Sequence, residues 1–82
     1  MKLPRDISGE AFASLLRRYG YQVTRQTGSH LRLTSRSKGI EHHITIPAHQ
    51  QLKVGTLGAI LNDVAAYLEM ARKDLVAALF GK

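Results

Sequence analysis

The chain has no cysteine and no tryptophan, only two prolines, and a single acidic residue, Glu41, between Ala11 and Asn62. Without cysteine there are no disulfide staples, thiolate zinc sites or cysteine nucleophiles, so a hydrophobic core must hold the fold alone. The longest apolar run, Leu75 to Phe80, is far too short to span a bilayer, and Met1 to Asp6 lacks the apolar stretch of a signal peptide. A cytoplasmic protein with no membrane association is therefore expected. A length of 82 residues allows one small domain, residues 1–82, and 44% hydrophobic residues can supply its core.

The shortage of acids is local. Lys2 and Arg5 offset Asp6 and Glu10 at the start, and Arg72, Lys73 and Lys82 offset Asp63, Glu69 and Asp74 at the end. The net charge of +6 therefore lies between, on Arg17, Arg18, Arg25, Arg32, Arg36, Lys38 and Lys53 against Glu41. Solubility asks for net charge but not for its segregation, so the pattern points to a surface for a polyanion, nucleic acid first.

Ser8 can cap a helix with Glu10 in its first turn, and Phe12, Leu15, Leu16 and Tyr19 recur on one helical face until Gly20 ends it. From Tyr21 the period becomes two, with Tyr21 and Val23 on the buried side of a first strand. After the turn Thr27-Gly28-Ser29, Leu31 and Leu33 face the core of a second strand, leaving His30, Arg32 and Thr34 on the other side. Ser35 to Gly39 reads as a hairpin loop, and a third strand follows with Ile44 and Ile46 inward until Pro47 closes it. A helix from about Gly55-Thr56 carries Leu57, Ile60, Leu61, Val64 and Leu68, and a short one holds Leu75, Val76, Leu79 and Phe80. The expected class is α+β, in the order α-β-β-β-α with an additional C-terminal helix. Helices that come before and after a three-stranded antiparallel meander in the chain can both pack on one sheet face and leave the other open.

His30, His42, His43 and His49 are the groups that titrate near neutral pH. They form no metal-ligand spacing, and His42-His43 on a strand would point to opposite faces, so no metal or cofactor is expected. Ser29 beside His30 has no acid nearby to orient an imidazole, which disfavours serine hydrolysis. What remains is a basic, histidine-bearing sheet face. Pairing Leu31 with Ile44 would place His43 opposite Arg32 and Thr45 opposite His30 on it.

That inventory is sufficient for RNA cleavage. The 2′-hydroxyl of RNA attacks its own phosphorus once a base takes its proton, so no protein nucleophile is needed, and histidine can be the base. Arg25, Arg32, Lys53 and the backbone N–H groups of Gly55 and Thr56 are the donors available for phosphoryl oxygens. A positive field also favours the neutral imidazole that a base requires. On residue type and position alone, His30 reads as an exposed strand residue or a phosphate donor rather than as a base, because a second acid–base candidate is not evident beside it.

Arg25-Gln26-Thr27-Gly28-Ser29-His30, Ile44-Thr45-Ile46-Pro47-Ala48-His49 and Leu52-Lys53-Val54-Gly55-Thr56-Leu57-Gly58-Ala59-Ile60-Leu61 resemble, in order, the motifs of the HicA toxins. The helix ending at Tyr19-Gly20-Tyr21 fits as well, and the resemblance covers roughly residues 8 to 68. It implies a double-stranded-RNA-binding-like fold and an mRNA interferase, an endoribonuclease toxin that inhibits translation. It further implies a HicB-like antitoxin that binds the toxin and masks its active site. The glycine-serine-histidine motif maps its catalytic histidine onto His30, with Ser29 beside it. His49 falls in a proline-x-histidine element and joins Ser29 among the expected RNA contacts. Val54 stands where a proline is common, and Gly58 where a polar or basic residue is common, which would remove a phosphate contact. Duplex-binding domains of this fold carry several lysines at the start of the last helix, whereas only Lys53 is present here, so single-strand cleavage is favoured over duplex binding. The alternatives are a noncatalytic RNA-binding module and, less well supported by the apolar last helix, a helix-turn-helix DNA regulator.

Overall fold

The structure is a computed structural model that describes residues 3–4, 6–48 and 51–81. Helix α1 (Gly9–Leu16) leads through a 3-10 turn (Arg17–Tyr19) into strands β1 (Gln22–Thr27), β2 (His30–Ser35) and β3 (His42–Pro47), followed by α2 (Val54–Leu68) and α3 (Arg72–Phe80). The sheet is an antiparallel meander of order β1-β2-β3. This is the expected α+β arrangement, α-β-β-β-α with a further helix, and it is compatible with a double-stranded-RNA-binding-like fold.

The local signals act as their chemistry requires. The Ser8 hydroxyl accepts from the Ala11 N–H and caps α1, and Gly20 takes the left-handed conformation, φ 84°, that turns the chain into β1. Phe12, Leu16, Leu33, Ile46, Leu57, Leu61 and Leu75 are fully buried, so all three helices share one core with β2 and β3. Phe12 stacks on Phe80 at 6.1 Å, and the Arg18 guanidinium donates to the Ala78 carbonyl across 2.5 Å. The last helix thus completes the core against α1, and Arg18 satisfies a carbonyl in its final turn.

Two expectations require correction. Strand β1 is not half-buried: all its residues are exposed, and Val23 keeps 43% of its surface, because the core under the helices takes in side chains of β2 and β3 but none of β1. The β2–β3 register is also displaced by two residues from the expected pairing. Leu31 meets Ile46 and Leu33 meets Ile44, so Arg32 faces Thr45, Thr34 faces His43 and His30 faces Pro47. The connecting loop is longer than its polar run indicates. Ser35 is buried as the last residue of β2, and the Tyr67 hydroxyl of α2 accepts from the Lys38 N–H and donates to the Ile40 carbonyl, holding an extended turn. A slip of two preserves every side chain's face and changes only its neighbours.

The ladder continues past Pro47, because the Ala48 N–H donates to the Ser29 carbonyl at 2.6 Å. From there the chain returns to the start of α1. The Glu10 N–H reaches the Ala48 carbonyl, the Leu52 N–H reaches that of Ile7, and Gly9 lies so close to Pro47 that a Cβ would stand 1.7 Å from its carbonyl oxygen. The end of β3 is therefore fixed by backbone contacts to α1.

Candidate nucleic-acid interface

The sheet face turned away from the helices carries His30, Arg32 and Thr34 of β2 with Thr45 and His43 of β3. In β1 a bulge between Val23 and Arg25 changes the alternation. Val23 pairs with Leu33, but Arg25 pairs with Arg32 and Thr27 with His30. Unbroken alternation would have put Arg25 opposite Leu31, on the core side. The extra residue, Thr24, turns it onto the open face.

Arg25, Thr27, His30, Arg32 and Thr45 then line one open depression of about 200 Å³. Its chemistry is an imidazole, two guanidinium groups and two hydroxyls, all exposed. Arg25 and Arg32 stand directly opposite each other, a pairing that repels unless an anion lies between or above them. Such a site can bind a phosphodiester by both charges while the imidazole accepts a proton from a neighbouring hydroxyl.

A second depression, of about 190 Å³, is lined by Pro47, Gln51, Leu52, Lys53 and Thr56 at the start of α2. Pro47 is the ladder partner of His30, so the second site adjoins the first around the end of β3. Lys53 is the N-cap residue of α2 and makes no side-chain cap, and Gly55 and Thr56 lie exposed in its first turn. The structure thus groups Arg25, Arg32 and His30, and sets Lys53 and Thr56 in an adjacent depression. The Ser29 carbonyl is used by the ladder. His49 lies outside the described residues. Gly58 is not at this surface: it is buried, with Arg72 Nη2 3.1 Å from where a Cβ would stand, so a larger side chain there would meet α3 rather than a phosphate.

His43 shares the open face but lies four ladder pairs from His30 along β2. Its Nδ1 is 2.8 Å from the Thr34 hydroxyl, which lies 2.8 Å from that of Thr24. Its Nε2 is 3.5 Å from Glu41, whose carboxylate is bound by Arg36 at 2.5 Å and is held below its ordinary pKa first by that hydrogen bond and then by the Arg36 charge.

His42 takes the opposite face, as alternation requires, and joins a cluster that the sequence did not announce. Its Nδ1 is 2.6 Å from the Tyr21 hydroxyl, its ring stacks on Tyr67 at 4.7 Å, and its Nε2 lies 3.4 Å from Asp63. Burial, then Tyr67 and Asp63, push the Tyr21 phenol far above its usual range. Parity alone could have placed His42 inside, but its three partners come from β1's approach and from α2. Among the described residues no three His, Asp or Glu side chains gather as a metal site, and no helix is long and apolar enough to cross a membrane.

A model of the HicA toxin of bacterial toxin-antitoxin matches residues 9–65. No curated protein and no solved structure matches the chain. The matched span covers most of the chain and holds every residue lining both depressions. It opens at the first residue of α1 and closes in α2, so it also takes in the whole sheet. The chain therefore belongs to the HicA toxin family, and it is a toxin of the kind that bacteria pair with an antitoxin.

Proposed function

We propose that this toxin is an mRNA interferase, a metal-independent endoribonuclease that uses His30, with residues 1–82 acting as one domain in the cytoplasm. The observation that carries the reading is the meeting of His30, Arg25 and Arg32 in one open depression. Neutral His30 takes the proton of the 2′-hydroxyl, and that oxygen attacks the adjacent phosphorus. The bond from phosphorus to the 5′-oxygen breaks, leaving a 2′,3′-cyclic phosphate on one fragment and a 5′-hydroxyl on the other. The 5′-oxygen takes up a proton from the solvent that reaches this open site. Arg25 and Arg32 offset the charge growing on the non-bridging oxygens, and Thr27 and Thr45 can donate to them. His43 is not the acid in this scheme, since four residues of strand separate its ladder position from that of His30, roughly 13 Å.

Ser29, Lys53, Gly55, Thr56 and His49 extend the RNA-contacting surface around the end of β3. The family implies a HicB-like antitoxin, and the basic open face is where its acidic groups would mask the site. Inducible expression of wild type beside His30→Ala, with total RNA examined from both, tests the enzyme. Growth arrest and mRNA loss with wild type alone support it. In the purified system cleavage persists in EDTA and stops when the scissile ribose lacks its 2′-hydroxyl. Cleavage by His30→Ala, or of the deoxy substrate, refutes the scheme, and tight binding with intact RNA would leave a noncatalytic RNA-binding module.

A further inference from the structure

His43 is exposed on the open sheet face, yet both of its ring nitrogens are turned toward the protein. The Thr34 hydroxyl lies 2.8 Å from Nδ1, and Thr34 is itself bonded to Thr24, while Nε2 faces Glu41 at 3.5 Å. When Thr34 donates to Nδ1, the neutral ring carries its hydrogen on Nε2, toward the carboxylate. When the ring is charged, Nδ1–H donates to Thr34 and Nε2–H again meets Glu41. In either state the edges are occupied and the π-face remains.

The electrostatics select the same kind of ligand. Glu41 is the only acid between Ala11 and Asn62, and it stands beside this ring. Arg36 neutralises it rather than adding free positive charge. A phosphate gains little here, unlike at Arg25 and Arg32, whereas a nucleobase needs only a flat partner. Along β2 and β3 the surface thus changes from guanidinium groups and hydroxyls around His30 to an oriented ring at His43. A single strand crossing the face would leave its phosphodiester at the first and place a nearby base over the second.

We propose that His43 is a stacking platform for the base of a nucleotide near the one cleaved, held on edge by Thr34 and Glu41, so that this toxin grips single-stranded RNA through a base as well as through phosphates. The proposal rests on reading the open face as an RNA surface. Stacking of one base is worth enough that removing the ring should weaken binding roughly tenfold. The tertiary structure places the platform four ladder pairs from His30, roughly 13 Å along the strand, outside the reacting group but within the RNA strand's path across the face.

The test compares two probes: a short single-stranded RNA with 2′-O-methyl groups that block cleavage, and the same backbone without bases. His43→Ala is expected to lose about tenfold in affinity for the first and nothing for the second, with the salt dependence of wild type. His43→Phe, which keeps a ring without nitrogens, should bind the first probe as wild type does. Arg32→Ala should weaken both probes and flatten the salt dependence. In wild-type protein, base stacking should move the His43 ring proton resonances upfield with the first probe only, a reading that needs no variant to fold. The idea is overturned by equal losses on both probes, by unchanged affinity of His43→Ala, by His43→Phe behaving as His43→Ala, or by unmoved ring resonances. Failure of the nuclease reading is separate, since wild type would then leave unprotected RNA intact whatever these binding measurements give.

Discussion

Arg25 and Arg32 face each other directly across the β1–β2 ladder, and a bulge at Thr24 is what brings them together. Two like charges at facing positions cost roughly 0.2–1 kcal/mol in the free protein, which an anion bound beside them reverses. Such a pair is evidence for a ligand rather than for stability.

Arg25→Ala is accordingly expected to leave the free toxin as stable as wild type or more so, by up to about 1 kcal/mol in chemical denaturation. It should nevertheless weaken RNA binding and lower the slope of log affinity against log salt by about 0.7, the share of one phosphate contact on a single strand. A destabilised variant with full RNA affinity would contradict the assignment of this pair.

His30 is exposed, and its side chain makes no hydrogen bond or ion pair among the described residues. His30→Ala should therefore melt within a few degrees of wild type while losing RNA cleavage and growth arrest. Thermal melting and an RNA gel on the same preparation check both halves.

Gly9 sits under the Pro47 carbonyl at a separation that no Cβ tolerates. Gly9→Ala, though favourable for an isolated helix, should destabilise the fold by about 1–3 kcal/mol through overpacking against backbone. Because Pro47 is the ladder partner of His30, cleavage should fall as well. Denaturation midpoints measure the first effect and initial rates the second.

Tyr21 is fully buried and bonds His42, so Tyr21→Phe should cost about 1–2 kcal/mol. Its raised pKa in the fold means that the folded state holds the phenolic proton more tightly than the unfolded chain does. The associated stability is complete below the ordinary tyrosine pKa of about 10 and is lost as the pH climbs above it. Denaturant melts from pH 7 to 11 should show wild type losing stability more steeply at the alkaline end than Tyr21→Phe.

Much of the site was legible before the fold. The segregation of arginines, the alternation that sets Leu31 and Leu33 against His30 and Arg32, and the opposite facing of His42 and His43 all follow from residue order. These are local properties: a period of two assigns a face to each strand residue, and a cap or a glycine marks a boundary.

Register, bulge and edge are not local. Leu31 pairs with Ile46 rather than Ile44 because the loop anchored by Tyr67 takes up more chain than its polar residues indicate. Arg25 reaches the open face only through an extra residue that nothing in Val23-Thr24-Arg25 announces. Whether a strand is covered depends on which layer lies over it, and of the two edge strands the core takes in β3 but not β1. The sequence by itself determined which residues could carry the chemistry and which faces they would take. Only the tertiary structure decided which of them meet, since pairing across strands is set by loop length and packing between segments distant in the chain.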